Sequence, residues 1–187
     1  ALGLSAASRR GLHLKINSLL FRQATGIQNP DLEELYSGAD ADRDGLLSWE
    51  ESGSFQRRIH TRYSYLNNAT ALRPDDFLAQ GGGDCEDWSL LTCGLLRYWG
   101  WTCYVGSLQS PDSAEAHAIA LVRMSREPAG LSYYHLSEVA TFEGDPVRAG
   151  YYVPIDYEVV GGTSEAVGRG WKLESLHTPE KLYGERM

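Results

Sequence analysis

The stretch best suited to chemistry lies at residues 81–88, which read Gly-Gly-Gly-Asp-Cys-Glu-Asp-Trp. Asp84 is a preferred helix N-cap residue, and Asp87 three positions later nearly completes a capping box. This pattern predicts that Cys85 lies in the first turn of a helix. The partial positive charge of a helix N-terminus favours a thiolate over a thiol, and a thiolate is a nucleophile. Local chemistry alone therefore makes Cys85 a candidate nucleophile.

A second chemical pattern occupies residues 40–51, which read Asp-Ala-Asp-Arg-Asp-Gly-Leu-Leu-Ser-Trp-Glu-Glu. It fits a twelve-residue calcium loop, with carboxylates at loop positions 1, 3 and 5, a glycine at 6 and a glutamate at 12. Helical segments are predicted on both sides, so the stretch resembles an EF-hand; an acidic surface turn is the alternative. EF-hands usually occur in pairs and this loop is single, so we expect a structural rather than a sensing role. The predicted ligands are Asp40, Asp42, Asp44, the Leu46 carbonyl, Ser48 and Glu51.

Hydrophobic spacing predicts the elements that must position these residues. The segment 117–124 has apolar residues on both faces, which is typical of a central strand. The first 11 residues are expected to be frayed. A glycine-rich loop is expected over residues 161–170. Helices are predicted over 12–23, 31–39, 49–67, 85–99 and 179–183, with a short turn or helix over 73–80. Strands are predicted over 101–108, 117–124, 133–142 and 147–156, with a hairpin turn at 143–145.

The length, net charge and hydrophobic pattern of the chain argue against several classes of protein. At 187 residues the chain suits one domain, or one domain with a small appendage. The net charge of -8 argues against nucleic-acid binding, which requires a basic face. No apolar run reaches transmembrane length. The chain begins without methionine, so it is read as a mature product or a trimmed chain. The other two cysteines, Cys93 and Cys103, are interpreted as small buried hydrophobic residues. A disulfide between them in an oxidising compartment is the alternative.

Three segments, taken in order along the chain, carry a resemblance to a known family. They are Gly-Gly-Asp-Cys-Glu-Asp-Trp at 82–88, His117 with Ala118 at a strand start, and Tyr-Val-Pro-Ile-Asp at 152–156. Together they resemble the transglutaminase-like, papain-like superfamily. The Asp-Cys-Glu-Asp core is particularly similar to the bacterial transglutaminase-like cysteine proteinases and their archaeal relatives. The resemblance covers about residues 60–160, and the calcium loop lies outside it.

The resemblance implies an α+β fold, in which a helix bearing the cysteine packs on an antiparallel sheet. A helical segment with the single EF-hand would precede this core. The expected organisation is a helical segment over residues 1–66 and a transglutaminase-like catalytic core over residues 67–187, together forming one compact unit.

The resemblance also implies a catalytic triad. Cys85 would attack an acyl carbon, and His117 would pair with the thiolate and then protonate the leaving group. A carboxylate would hold the imidazole; Asp156 is the first choice and Glu138 the alternative. The oxyanion hole would use the Cys85 backbone amide and one more donor, for which Gln80 resembles the glutamine of papain-like enzymes.

The acids beside the cysteine create a conflict, because Asp84, Glu86 and Asp87 are anions that oppose thiolate formation. In the resembling proteinases, acids flanking the cysteine are associated with calcium dependence. One interpretation is therefore a second calcium site that uses Asp84 and Glu86. The other is that these acids act only as helix caps and helix-dipole partners.

The sequence therefore predicts a calcium-binding cysteine hydrolase, a peptidase or amidase that acts on protein or peptide substrates through a thioacyl intermediate. Protein-glutamine acyl transfer is the same chemistry with an amine in place of water, and it stays open. A catalytically inactive, calcium-stabilised binding module is the alternative from another class. Calcium is the expected cofactor. Because such loops saturate more readily where calcium is abundant, an extracytoplasmic location is slightly favoured over a cytoplasmic one.

Overall fold

The computed structural model describes residues 5–159 and 163–183. It has the predicted α+β architecture. The helices are α1 (Ala6–Thr25), α2 (Pro30–Ser37), α3 (Trp49–Arg62), α4 (Pro74–Gln80), α5 (Cys85–Tyr98) and α6 (Pro179–Leu182). The strands are β1 (Ser64–Tyr65), β2 (Gly82–Gly83), β3 (Cys103–Gln109), β4 (Ala116–Met124), β5 (Tyr134–Leu136), β6 (Val139–Ala140), β7 (Pro146–Val147), β8 (Gly150–Ile155) and β9 (Lys172–His177).

Helix α5 is the central helix, and its local sequence explains where it begins. The Asp84 side chain accepts a hydrogen bond from the Glu86 backbone N–H, and the Asp87 side chain completes the capping box. Apolar residues follow on all sides of the helix, which is typical of a buried helix. The prediction of a helix from Cys85 is confirmed, with Gly100 just beyond its end at a φ of 80°.

The main sheet has five strands in the order β5-β8-β4-β3-β9, and all its pairings are antiparallel. The predicted central position of β4 is confirmed, since it lies between β3 and β8. Ala120 and Val122 of β4 face the core that contains α5, while Ile119 and Leu121 face a second apolar cluster on the opposite side. The sheet is thus covered on both faces, which explains why β4 is apolar on both of its faces.

The N-terminal helices share a core with α5. Tyr36 of α2 is fully buried, and its hydroxyl donates a 2.9 Å hydrogen bond to the Leu91 carbonyl of α5. Phe21 of α1 and Phe55 of α3 pack against the Tyr36 ring. The acidic loop at residues 40–51 and helix α5 are therefore connected through one continuous apolar cluster.

Several boundaries differ from the sequence-based prediction. Helix α1 begins at Ala6 rather than after a frayed segment, because the Ser5 side chain caps it by accepting from the Ser8 N–H. Helix α3 ends at Arg62 rather than at residue 67, and the chain then enters β1. Residues Gly161 and Gly162 of the predicted glycine-rich loop lie outside the described residues.

The strands that follow β4 differ more from the sequence-based prediction. The segment 133–142 divides into β5 and β6, and 147–156 divides into β7 and β8. The hairpin around residues 143–145 is formed by β6 and β7, while β5 pairs with β8. Strand β9 was not predicted, because its alternation is weak and its strand conformation depends on pairing with β3 at the sheet edge. Of the helices described, none is both long and apolar enough to cross a membrane.

Candidate active site

Cys85 lies at the wall of a cavity of about 250 Å³ between the start of α5 and the sheet. Helix α5 supplies one wall, strands β3 and β4 supply the opposite wall, and the end of β9 with α6 supplies the rim. The lining residues are Asp84, Cys85, Glu86, Val105, Gly106, Ser107, Ala116, His117, Ala118, His177 and Leu182.

His117 and Asp156 are hydrogen-bonded within this site. Nε2 of His117 lies 2.8 Å from Oδ2 of Asp156. Strands β4 and β8 are antiparallel neighbours with Ala120 opposite Ile155, so the residue that follows β8 lies beside the beginning of β4. The sheet register therefore brings together two residues that are 39 positions apart in the chain.

The imidazole of His117 is held on several sides. Tyr157 and Trp171 place their rings edge-on against it, with centroid distances of 6.1 and 5.9 Å. The other oxygen of Asp156 accepts from the Glu158 backbone N–H at 3.3 Å, so the carboxylate is itself oriented. A buried, oriented carboxylate of this kind fixes the orientation of a histidine ring.

The electrostatics of the site favour a charged imidazole. Burial alone would lower the pKa of His117, but hydrogen bonds with Asp156 and Cys85, and the charges of both groups, raise it to about 10. At neutral pH the ring is therefore an imidazolium that faces Cys85 on one side and Asp156 on the other. An imidazolium beside a cysteine side chain can stabilise a thiolate and later donate a proton.

The three acids around Cys85 have different environments. Asp87 is fully buried, and its carboxylate accepts from the Asp84 N–H at 2.9 Å, the Asn68 side-chain amide at 2.5 Å and the Leu72 N–H. Through these hydrogen bonds, Asp87 connects the segment before α4 to the start of α5. Asp84 and Glu86 line the cavity instead. Partial burial and the charges of Asp84 and Asp87 raise the pKa of Glu86, and a cation at this wall would relieve that repulsion.

Two further predicted residues do not reach the cavity wall. Gln80, at the end of α4, donates a 2.9 Å hydrogen bond from Nε2 to Oδ1 of Asn68 and does not line the cavity. Glu138 is exposed between β5 and β6, while Asp156 occupies the position beside His117. His177, which the sequence did not single out, also lines the cavity. No local signal could have placed it there, because it lies on the unpredicted strand β9.

The acidic loop at residues 40–51 has three features that suit a bound cation. The carboxylates of Asp40, Asp42 and Asp44 come within 4.8 Å of one another. The Asp40 side chain is fully buried, and its Oδ1 has no hydrogen-bond partner among the described residues. Gly45 has a φ of 91°, as the sharp turn requires. A buried carboxylate oxygen without a donor is well suited to a cation, so this part of the loop fits calcium.

Two of the other predicted ligands, Ser48 and Glu51, have hydrogen-bond partners in this conformation. Glu51 closes a capping box with Ser48, and its Oε1 accepts from the Ala41 N–H at 2.6 Å. Leu46 is exposed, so its side chain does not cover the loop. Helix α1 also contacts the loop, because Nε of Arg10 donates to Oδ2 of Asp40 at 2.8 Å.

No protein-family model and no curated protein sequence matches this chain. Among solved structures, Legionella pneumophila LapG is similar at 15% identity and a TM-score of 0.49, covering 86% of this chain and 80% of that chain. Calcium-bound LapG is similar at 16% identity and a TM-score of 0.47, covering 86% and 81%. A candidate cysteine protease from Cytophaga hutchinsonii is similar at 11% identity and a TM-score of 0.40, covering 94% and 52%.

Proposed function

We propose that this chain is a calcium-binding, transglutaminase-like cysteine hydrolase, a peptidase or amidase that acts on protein substrates through Cys85, His117 and Asp156. One observation carries the proposal: the imidazole of His117 is hydrogen-bonded to a buried carboxylate and also interacts with the side chain of Cys85 at a cavity wall. A nucleophile, a base and an orienting carboxylate in this order form the arrangement required for acyl transfer.

The chemistry follows from this arrangement. The Cys85 sulfur attacks the substrate carbonyl carbon, a C–S bond forms, and the carbonyl π electrons move to oxygen. When this intermediate collapses, the C–N bond breaks and the His117 imidazolium donates its proton to the leaving amine. Water then attacks the thioester carbon, a C–O bond forms, and the neutral imidazole accepts the proton of the water. When this second intermediate collapses, the C–S bond breaks, the carboxylic acid product leaves and the Cys85 thiolate is restored beside the imidazolium. Asp156 stays ionised and keeps the ring aligned throughout.

Calcium has a supporting role in this proposal. The buried Oδ1 of Asp40 and the adjacent carboxylates of Asp42 and Asp44 support calcium binding in the loop. Bound calcium would neutralise these charges and connect α2 to α3, whose apolar faces pack with α5. A second calcium at Asp84 and Glu86 would lower the negative potential beside Cys85. When bound, that ion would supply charge compensation only.

Alkylation with iodoacetamide tests the proposed nucleophile. At pH 7 we expect rapid modification of Cys85 in the wild-type protein and at least a tenfold slower reaction in His117→Ala, since the imidazolium that stabilises the thiolate is lost. Cys85→Ser gives the background, because Cys93 and Cys103 are free but buried. His135→Ala is the matched control, since it removes a histidine from β5, an edge strand of the main sheet.

The outcomes of this experiment separate the two classes of function. A rate that is the same in His117→Ala and the wild-type protein would contradict the Cys85–His117 pair and favour a non-catalytic binding module. If the pair is supported, cleavage of a fluorogenic peptide mixture with and without a primary amine then separates hydrolysis from acyl transfer.

A further inference from the structure

Tyr65 is held next to the nucleophile by a short parallel pair of strands. Strand β1 pairs with β2, and Tyr65 lies opposite Gly83, two residues before Cys85. The backbone N–H of Leu66 donates to the Gly83 carbonyl at 3.0 Å, and that of Ser64 donates to the Gly81 carbonyl at 3.1 Å. The Tyr65 backbone is therefore fixed relative to the first turn of α5.

The ring of Tyr65 is also fixed relative to the catalytic histidine. It stacks on Tyr157 with a centroid distance of 4.7 Å and an angle of 22°. Tyr157 in turn lies edge-on to His117 and stacks on Trp88 at 6.1 Å. A row of aromatic rings thus leads from α5 to the imidazole, and Tyr65 is its exposed end, with 45% of its surface accessible.

The hydroxyl of Tyr65 is near the start of α5, where the backbone N–H of Cys85 and the hydroxyl of Tyr157 act on its pKa as hydrogen-bond donors. Burial, followed by the charge of Cys85, raises the pKa of Tyr65, so the phenol keeps its proton at neutral pH. A protonated phenol beside the Cys85 N–H is a hydrogen-bond donor at the place where an oxyanion would form.

A tetrahedral intermediate on Cys85 needs such a donor. The Cys85 N–H supplies one hydrogen bond, and acyl-transfer sites use at least one more. The residue expected from the sequence, Gln80, directs its amide to Asn68. Tyr65 is instead positioned by the strand pair and by the aromatic row.

We propose that the Tyr65 hydroxyl is the second oxyanion-hole donor of this enzyme. The inference rests on the proposed function, since it concerns the same intermediate. In the free protein the hydroxyl oxygen accepts from the Cys85 N–H. When substrate binds, the carbonyl oxygen takes over that N–H and the Tyr65 O–H donates to it. No covalent bond to Tyr65 forms or breaks, and the phenol keeps its proton.

The test compares two reactions of Cys85 in Tyr65→Phe, which keeps the stacked ring and removes the hydroxyl. Acylation by 4-nitrophenyl acetate passes through an oxyanion, whereas alkylation by iodoacetamide is a displacement at a tetrahedral carbon and does not. We expect acylation to slow by about 100-fold, the magnitude typical of one oxyanion-hole donor, while alkylation is unchanged. Tyr133→Phe is the matched control, because its hydroxyl is exposed and contacts Glu127 instead.

Each other outcome overturns the inference. Acylation at the wild-type rate would show that the hydroxyl is not a donor to the intermediate. Faster acylation would show that Tyr65 blocks the site instead. An equal loss in both reactions would indicate a purely structural role. Failure of the proposed function is a separate result: the wild-type protein itself would show no acylation that depends on Cys85, and its alkylation would not depend on His117.

Discussion

Replacing Asp156 by asparagine tests the electrostatic basis of the site. The substitution removes the charge that faces Nε2 of His117 and keeps the shape of the side chain. The asparagine Oδ1 can still accept from the Glu158 N–H, which now donates to Asp156 at 3.3 Å. The fold should therefore be retained, while the imidazole loses its anionic partner.

The magnitude follows from the environment of His117. Its pKa is raised from 6.5 to about 10 against the opposing effect of burial. This difference of about 3.5 pH units corresponds to about 5 kcal/mol in favour of the charged ring. Because Asp156 is the first of the groups that raise it, we expect Asp156→Asn to lower the pKa of His117 by at least about two pH units.

The same substitution should change how stability depends on pH. The folded-state pKa of His117 lies above the unfolded value, so its contribution is fully present below pH 6.5 and is lost as the pH rises to about 10. The free energy of unfolding of the wild-type protein should therefore decrease over that window through this group. In Asp156→Asn the decrease should be smaller.

The assay is a ¹³C NMR titration of the histidine Cε1 resonances, with His117 assigned by its loss in His117→Ala. Urea unfolding at pH 6 and pH 9 gives the stability difference. The reasoning is refuted if wild-type His117 titrates near its ordinary value of 6.5. It is also refuted if the substitution leaves the pKa unchanged.

Two further predictions concern calcium and folding. Millimolar CaCl₂ should raise the melting temperature of the wild-type protein and of the control Asp31→Asn. It should not raise that of Asp40→Asn, which alters the carboxylate whose buried Oδ1 has no hydrogen-bond partner among the described residues. Equal shifts in all three proteins would exclude calcium binding at the loop. Any calcium effect on alkylation of Cys85 that persists in Asp40→Asn would indicate a second site. Asp87→Ala should reduce the free energy of unfolding by about 2–4 kcal/mol in urea titrations, because it leaves several buried donors without an acceptor; a loss below about 0.5 kcal/mol would show that water replaces them.

The position of Cys85 at the start of a helix could be predicted because its signals are local. Asp84 and Asp87 form a capping box within four residues, so the start of α5 needs no distant contact. The alternation of β4 likewise reports a strand with two buried faces. The pattern of the acidic loop is likewise contained within twelve consecutive residues.

Other features could not be predicted, because they depend on contacts between distant segments. Strand β9 forms by pairing with β3, and this pairing brings His177 to the cavity rim. Tyr65 lies beside the start of α5 because β1 pairs with β2. In both cases the sequence around the residue is ordinary, and the position comes from strand register.

The sequence by itself determined that Cys85 begins a capped helix and that acidic groups crowd around it, because capping and charge density depend on near neighbours. Tertiary structure decided where each of these acidic groups lies relative to Cys85. It buries Asp87 against backbone donors, leaves Asp84 and Glu86 at the cavity wall, and places His117 between Cys85 and Asp156. Such an arrangement depends on sheet register and packing, which local sequence does not encode.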